Sequence, residues 1–204
     1  MRCSLVTSRP ALLGFLAAVW LAVAGLAPVA QAEPQLSARL GWGFGSTLAP
    51  PGESGFQWAT SVRSELLFGA PGDGAWRLGP AVELRSARWR NLEVGAGAGL
   101  LVPVLRGYPL VLTVLGSVEA LGEWAGTPRA VATLAWGYRS YDHGGLYAFA
   151  AQLFVSGRVD VAEPAGGAGR RVELLAGLEI DFELLALGPL VLAGKLQGPA
   201  IESQ

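Results

Sequence analysis

The stretch RVELLAGLEIDFELL, residues 171–185, decides the fold because charged and apolar residues alternate along most of it. Its acids are Glu173, Glu179, Asp181 and Glu183, and apolar side chains stand between them. A period of two is that of a β-strand, in which successive side chains point to opposite faces. The stretch is therefore predicted to be a strand with one acidic and one apolar face. The pattern does not say which face points to water.

The first 32 residues have the features of an export signal. Arg2 and Arg9 precede an apolar run over 11–27, and Ala30 and Ala32 form the small-x-small pattern that signal peptidase cuts after. Residues 1–32 are therefore predicted to be a cleaved signal peptide, with the mature chain beginning near Glu33. A retained membrane anchor is the alternative, although the run is short for a spanning helix.

The remaining composition excludes several classes of protein. Without residues 1–32 the chain has 13 basic and 16 acidic residues, which gives no attraction to nucleic acid. Cys3 is the only cysteine, so the exported chain is predicted to lack disulfides. Charged residues make up 15% of the sequence and apolar residues 51%, yet after the signal no apolar run reaches the length of about 18 residues needed for a spanning helix.

Clusters of turn-forming residues break the rest of the chain at seven places. They lie at 49–55, 69–74, 89–91, 106–109, 122–128, 142–145 and 163–169. The intervening segments alternate with a period of two, which predicts eight antiparallel strands in an up-and-down meander. Their predicted ranges are 35–48, 56–68, 75–89, 91–104, 109–121, 129–141, 145–161 and 171–185. Pro80 has no backbone N–H, so the third strand is expected to start at Ala81 or to bulge at Gly79-Pro80.

Charges fall on one face of every predicted strand. Together they form a predicted network composed of Arg39, Arg63, Glu65, Glu83, Arg85, Glu93, Glu119, Arg139, Arg158, Asp160, Glu173, Glu179 and Asp181. Arg77, Arg129, Arg171 and Glu183 share this face, whose other positions are mostly Gly, Ser and Ala. The opposite face is apolar, and Arg88, at a strand end, is its one clear charge.

Two architectures place these faces in opposite ways. A soluble lipocalin-like barrel has the apolar face inside, around a ligand, and a membrane barrel has it outside, against lipid. The sparse charges, the small residues that leave space for long side chains and the near balance of arginine and acid all favour the membrane barrel, because buried opposite charges must pair. Codon bias is the alternative reason for arginine in place of lysine.

Aromatic residues on the apolar face also favour the membrane barrel. Trp58 and Phe68 are ten residues apart, which in a tilted strand corresponds to about 25 Å, the height of the apolar band of such barrels. The predicted aromatic girdle consists of Trp42, Trp58, Phe68, Trp136, Tyr138, Tyr147 and Phe149. Core packing of a soluble barrel is the alternative reading of these residues.

With these features the chain resembles the eight-stranded outer-membrane barrels of Gram-negative bacteria, of the OmpA and OmpX kind. The resemblance covers residues 35–185, and Gly177-Leu178-Glu179-Ile180-Asp181-Phe182 is similar to the terminal signal that the outer-membrane assembly machinery reads. It implies a barrel over 33–185, with the lipid bilayer and that machinery as partners. Unlike those families, the chain continues over 186–204 and has short loops. The tail is interpreted as a ninth strand, a periplasmic extension or a plug.

Little in the sequence points to catalysis. Some eight-stranded barrels deacylate lipid A through a histidine beside a serine, but here the only histidine, His143, lies in a Gly-rich turn, with Ser140 as the nearest serine. No catalytic residue, metal site or cofactor is therefore predicted. The sequence predicts a non-enzymatic outer-membrane barrel with a structural or adhesive role and a lumen closed by its charges. The alternatives are a secreted or periplasmic lipocalin-like barrel and a lipid A-modifying enzyme.

Overall fold

A computed structural model describes residues 33–49, 55–70, 74–140, 149–163 and 169–182. The predicted signal peptide with Ala30 and Ala32, the residues His143 and Tyr147, and the tail 186–204 all lie outside these ranges. Among the described residues, no helix is long and apolar enough to cross a membrane.

Eight strands form one closed antiparallel barrel in which each strand pairs with its neighbours in the chain and the last pairs with the first. The strands are β1 (Glu33–Ala49), β2 (Gly55–Gly69), β3 (Arg77–Ala87), β4 (Leu92–Leu105), β5 (Tyr108–Leu121), β6 (Pro128–Arg139), β7 (Ala150–Asp160) and β8 (Val172–Asp181). The prediction of eight antiparallel strands in an up-and-down meander is confirmed.

Pairing of β8 with β1 closes the barrel. Leu178 and Glu179 of the opening stretch stand opposite Trp42 and Gly41 of β1. Closure leaves no strand with unpaired backbone groups at an edge. Because the strands alternate in direction, β1 begins and β8 ends at one end of the barrel, called here the terminal end. The other end, called the distal end, carries the connections β1–β2, β3–β4, β5–β6 and β7–β8.

The expectation for Pro80 is wrong, because β3 begins at Arg77 and passes through Pro80 without a bulge. Pairing with β2 is present at Leu78 and Ala81 in the same register but is missing at the two residues between them. On the other side, Pro80 pairs with Ala98 of β4 without interruption. The missing N–H therefore interrupts only one of the two ladders, and a closed barrel tolerates it without a change of register.

Candidate functional site

The interior of the barrel holds the charged face of every strand. Each charged side chain that the structure describes within the strands is buried, and Arg39, Arg139 and Asp181 have no exposed surface at all. All thirteen residues of the predicted network are at most 5% exposed. The arrangement is opposite to that of a lipocalin-like barrel, whose interior is apolar.

Ion pairs join these side chains into one connected network. Among the described residues it contains seven arginines (Arg39, Arg63, Arg85, Arg129, Arg139, Arg158 and Arg171) and seven acids (Glu65, Glu83, Glu93, Glu119, Asp160, Glu173 and Glu179). The charges of these fourteen residues sum to zero. Because burial of a single unpaired charge is very unfavourable, this balance is a condition for folding.

Arg63 of β2 lies at the middle of the network. Its guanidinium donates to Glu179 Oε1 at 2.5 Å and, through Nε, to Glu83 Oε2 at 3.0 Å. Glu179 also pairs with Arg39 at 3.2 Å, and Glu83 also pairs with Arg158. Each acid is therefore shared between two arginines, which links strands that are not neighbours in the sheet.

Towards the terminal end the network continues through Glu65. This carboxylate pairs with Arg39 and, at 3.2 Å, with Arg139. Thr113 donates to the same carboxylate at 3.1 Å, and Gln152 accepts from Arg39. Arg77 and Asp181 are also buried at this end.

Towards the distal end the network continues through Glu93. Arg158 pairs with it at 2.8 Å, Arg129 at 3.0 Å and Arg85 at 3.1 Å, and Ser117 donates to it at 2.5 Å. A carboxylate with four donors has its acceptor sites largely satisfied, which offsets the cost of removing it from water.

Glu119 ties the connections of the distal end together. Its carboxylate accepts from the Trp124 amide of the β5–β6 turn at 3.1 Å, from Asn91 after the β3–β4 turn at 3.3 Å and from Arg171 before β8 at 3.4 Å. The guanidinium of Arg171 also lies 4.4 Å from the centre of the Trp124 ring. One buried carboxylate therefore holds three connections over this end of the lumen.

Apolar side chains fill the space between the charges. One buried cluster contains Ala59, Leu67, Leu101, Val111, Ala135, Phe154 and Leu175, and a second contains Ala81, Leu115 and Val131. Sequence reasoning assigned mostly small residues to these positions and missed the large ones. The alternation could have predicted that Phe154 faces inward, since it lies two residues from Gln152 and two from Ser156, which both face the lumen.

Inward glycines create part of the room that these side chains need. A Cβ atom on Gly43 would come within 3.0 Å of the Phe154 ring, and one on Gly41 would come within 2.7 Å of Ser61 Oγ. An eight-stranded barrel encloses little more than its own side chains. The described interior is therefore packed, with the charges and the apolar clusters occupying the lumen.

The outer surface carries the apolar face. Exposed large side chains include Leu84 (49%), Val114 (53%) and Leu153 (63%). Within the described strands, the outward positions contain no Asp, Glu, Lys or Arg. A soluble monomer rarely exposes an apolar surface that surrounds the whole molecule.

Aromatic residues group at both ends of this surface. At the distal end Phe44 stacks on Phe56, with ring centres 6.4 Å apart, and Trp58 meets Trp89 edge-on at 6.2 Å. At the terminal end Tyr108 contacts Trp136 at 6.4 Å and Tyr138 at 6.1 Å.

The other predicted girdle residues are placed as follows. Phe68 lies one residue from the end of β2 and Phe149 directly before β7, whereas Trp42 lies in the middle of β1, opposite Thr60. Sequence reasoning left Phe56 and Tyr108 out of the girdle, although both lie at strand ends on the outward side.

Ser140 has a structural contact. Its hydroxyl accepts a hydrogen bond from the Phe149 amide at 2.9 Å, where β6 leads into the connection to β7. In the described part of the chain, no group of three or more His, Cys, Asp or Glu is arranged to hold a metal ion.

The fold and its interior define the class of the protein as an eight-stranded, up-and-down β-barrel with a packed, charged lumen and an apolar outer surface. This architecture is consistent with that of the OmpA and OmpX kind. No protein-family model matches the chain, and neither the curated proteins nor the solved structures give a match.

Proposed function

We propose that the chain is an outer-membrane β-barrel protein of Gram-negative bacteria, with a structural role in the membrane and no enzymatic activity. The observation that carries the proposal is the outward face of the eight strands, which is free of charged residues in the described ranges and exposes large apolar side chains. In water this surface would associate with itself, whereas in a bilayer it matches the hydrocarbon region.

The aromatic residues grouped at the two ends of the barrel also support a membrane environment. Tyr and Trp combine an apolar ring with a polar N–H or O–H, so they favour the boundary between hydrocarbon and headgroups. Outward aromatic contacts lie at the distal end around Phe56 and Trp58 and at the terminal end around Tyr108 and Trp136. The apolar side chains between them form the band that would contact lipid tails.

The packed lumen favours a structural role over transport. A pore requires a continuous water path, but the arginines at the centre of the barrel, Arg39 and Arg63, are at most 2% exposed. A cross-linked interior resists compression and unfolding, which suits a membrane-anchored scaffold. The purified protein reconstituted in a planar bilayer is therefore expected to show no steady ion conductance.

Two arginine substitutions test the lipid-facing surface. Val114 lies in the middle of β5 and is 53% exposed, whereas Leu121 lies at the end of the same strand and is 64% exposed. In a bilayer, Val114→Arg is expected to lower the free energy of unfolding by about 2–4 kcal/mol and Leu121→Arg by only about 0–1 kcal/mol. If the same surface faced water, both substitutions would change the free energy of unfolding by less than about 0.5 kcal/mol.

The measurement is urea unfolding of the protein inserted in phosphatidylcholine vesicles. Equal, small effects of the two substitutions would contradict the membrane assignment. Fractionation provides an independent check, because residues 33–204 expressed without detergent are expected to aggregate. A monodisperse, detergent-free protein would favour a soluble barrel and overturn the proposal.

A further inference from the structure

The turn between β3 and β4 has an unusual backbone. Arg88 and Trp89 both have positive φ, at 51° and 55°, and the Arg90 amide donates to the Ala87 carbonyl at 3.0 Å. Two consecutive left-handed residues inside this hydrogen bond make a type I′ turn, which normally contains Asn-Gly because other side chains are strained there. The left-handed backbone is therefore unfavourable for Arg88 and Trp89. Backbone strain of this kind indicates that their side chains have a functional role.

The side chains of this turn are fixed at the border of the apolar surface. Trp89 is 72% exposed and meets the Trp58 ring edge-on at 6.2 Å. The guanidinium of Arg88 donates to the Phe56 carbonyl, and the Arg88 amide donates to the Trp58 carbonyl at 3.1 Å. The turn therefore packs against the aromatic residues of the distal end, and its contacts with Phe56 and Trp58 of β2 fix its position.

Within the described ranges, the two arginines of the turn have no acidic partner. Arg88 and Arg90 are exposed, and neither forms an ion pair with any residue in the described ranges. By contrast, the seven arginines of the charge network each contact at least one acid, as Arg63 contacts Glu83 and Glu179. Two exposed guanidinium groups on either side of a tryptophan form a compact basic and aromatic surface, called here the basic turn (Arg88, Trp89 and Arg90).

We propose that the basic turn binds the phosphate of an anionic lipid headgroup. The inference rests on the proposed function, since it requires the distal aromatic group to lie at a membrane boundary. A guanidinium group binds phosphate oxygens through charge-assisted and bidentate hydrogen bonds. Trp89 and Trp58 would contact the upper part of the acyl chains, so the phosphate would lie between Arg88 and Arg90.

Titration with phosphatidylglycerol tests the proposal. The full chain, purified in a non-ionic detergent, is titrated with this lipid, and native mass spectrometry gives the dissociation constant from the lipid-bound fraction. Arg90→Gln is expected to raise the dissociation constant about five-fold, and the double variant Arg88→Gln/Arg90→Gln about 25-fold. Arg170→Gln, at an exposed arginine of another distal connection, is the matched control and is expected to leave the constant unchanged.

Two further binding experiments, with phosphatidylcholine and with inorganic phosphate, identify the ligand. Phosphatidylcholine, which has a phosphate but no net charge, is expected to bind more weakly than phosphatidylglycerol and to respond little to the substitutions. Inorganic phosphate is expected not to displace the lipid, because it lacks the acyl chains. Displacement by phosphate alone would mean a small-anion site and overturn the inference.

The outcomes separate this inference from the proposed function. If Arg90→Gln and the double variant bind phosphatidylglycerol like the parent protein while Val114→Arg still destabilises the barrel in vesicles, the lipid-facing surface stands and the headgroup site is wrong. If the protein remains soluble without detergent, both proposals fall. The refolding yield of the double variant in detergent is measured as a control, because a yield equal to that of the parent protein shows that the variant still folds.

Discussion

At the scale of single residues, the interior depends on matched large and small side chains. Gly43 faces Phe154 across the lumen, and a Cβ atom there would lie 3.0 Å from Phe154 Cζ and 3.5 Å from Leu175 Cβ. Inserting methyl groups into such a packed site forces side chains away from their preferred rotamers. The glycines that sequence reasoning treated as spacers for arginine and glutamate therefore also make room for an aromatic ring.

Gly43→Val is expected to lower the free energy of unfolding by about 1–3 kcal/mol because the new side chain overlaps the Phe154 ring. Adding Phe154→Leu should recover part of this loss, since the smaller side chain leaves space for valine. Urea unfolding followed by tryptophan fluorescence measures both. Gly157→Ala is the control, since a Cβ atom there has no neighbour within 4 Å. A loss in that control as large as in Gly43→Val would mean that the effect is not one of packing.

At the scale of elements, the strands follow from local pattern, whereas the connections depend on contacts between distant segments. The alternation in residues 171–185 predicts β8, and the structure ends that strand at Asp181. The β3–β4 turn could not be predicted in detail, because its form depends on contacts with β2 and on Asn91, whose Oδ1 accepts from the Ala87 amide at 2.7 Å. Glu119 was assigned to the charged face, but its contacts with three connections required the closed barrel.

Glu119→Gln is expected to loosen the distal end while the barrel remains folded. The loss of charge weakens the hydrogen bonds from the Trp124 amide and from Arg171, so the local opening free energy of the β5–β6 turn should fall by about 1–2 kcal/mol. Hydrogen exchange of the Trp124 amide measures this, with about ten-fold faster exchange expected. Glu123→Gln, at an exposed acid of the same turn, is the matched control. Unchanged exchange in Glu119→Gln would show that the carboxylate does not hold the turn.

At the scale of the whole molecule, the charge network acts as a cross-link between strands that are far apart in the sheet. Arg63 of β2 contacts Glu83 of β3 and Glu179 of β8, and Arg158 of β7 contacts Glu83 and Glu93. A charge removed at one point leaves an excess of the opposite charge in a buried, packed volume. The stability of the barrel is therefore expected to follow the net charge of the network more closely than the number of ion pairs.

Arg63→Met is expected to lower the free energy of unfolding by about 3–5 kcal/mol, because it leaves Glu83 and Glu179 with one arginine fewer. The double variant Arg63→Met/Glu83→Gln restores neutrality and should be more stable than the single variant, with an interaction energy of about 0.5–3 kcal/mol. Urea unfolding in vesicles measures both. Arg170→Met, at an exposed arginine, should change stability by less than about 0.5 kcal/mol. A double variant less stable than Arg63→Met would contradict the role of charge balance.

The sequence by itself determined the number of strands, their approximate bounds and the sets of residues that share a face, because these follow from a period of two and from turn residues read locally. It placed Glu179 and Asp181 on the same face as Arg39 and Arg139. Only the tertiary structure decided that this face turns inward and which arginine contacts which acid. The physical reason is that alternation is symmetric between the two faces of a strand, so the inside of a barrel exists only once all eight strands have closed on one another.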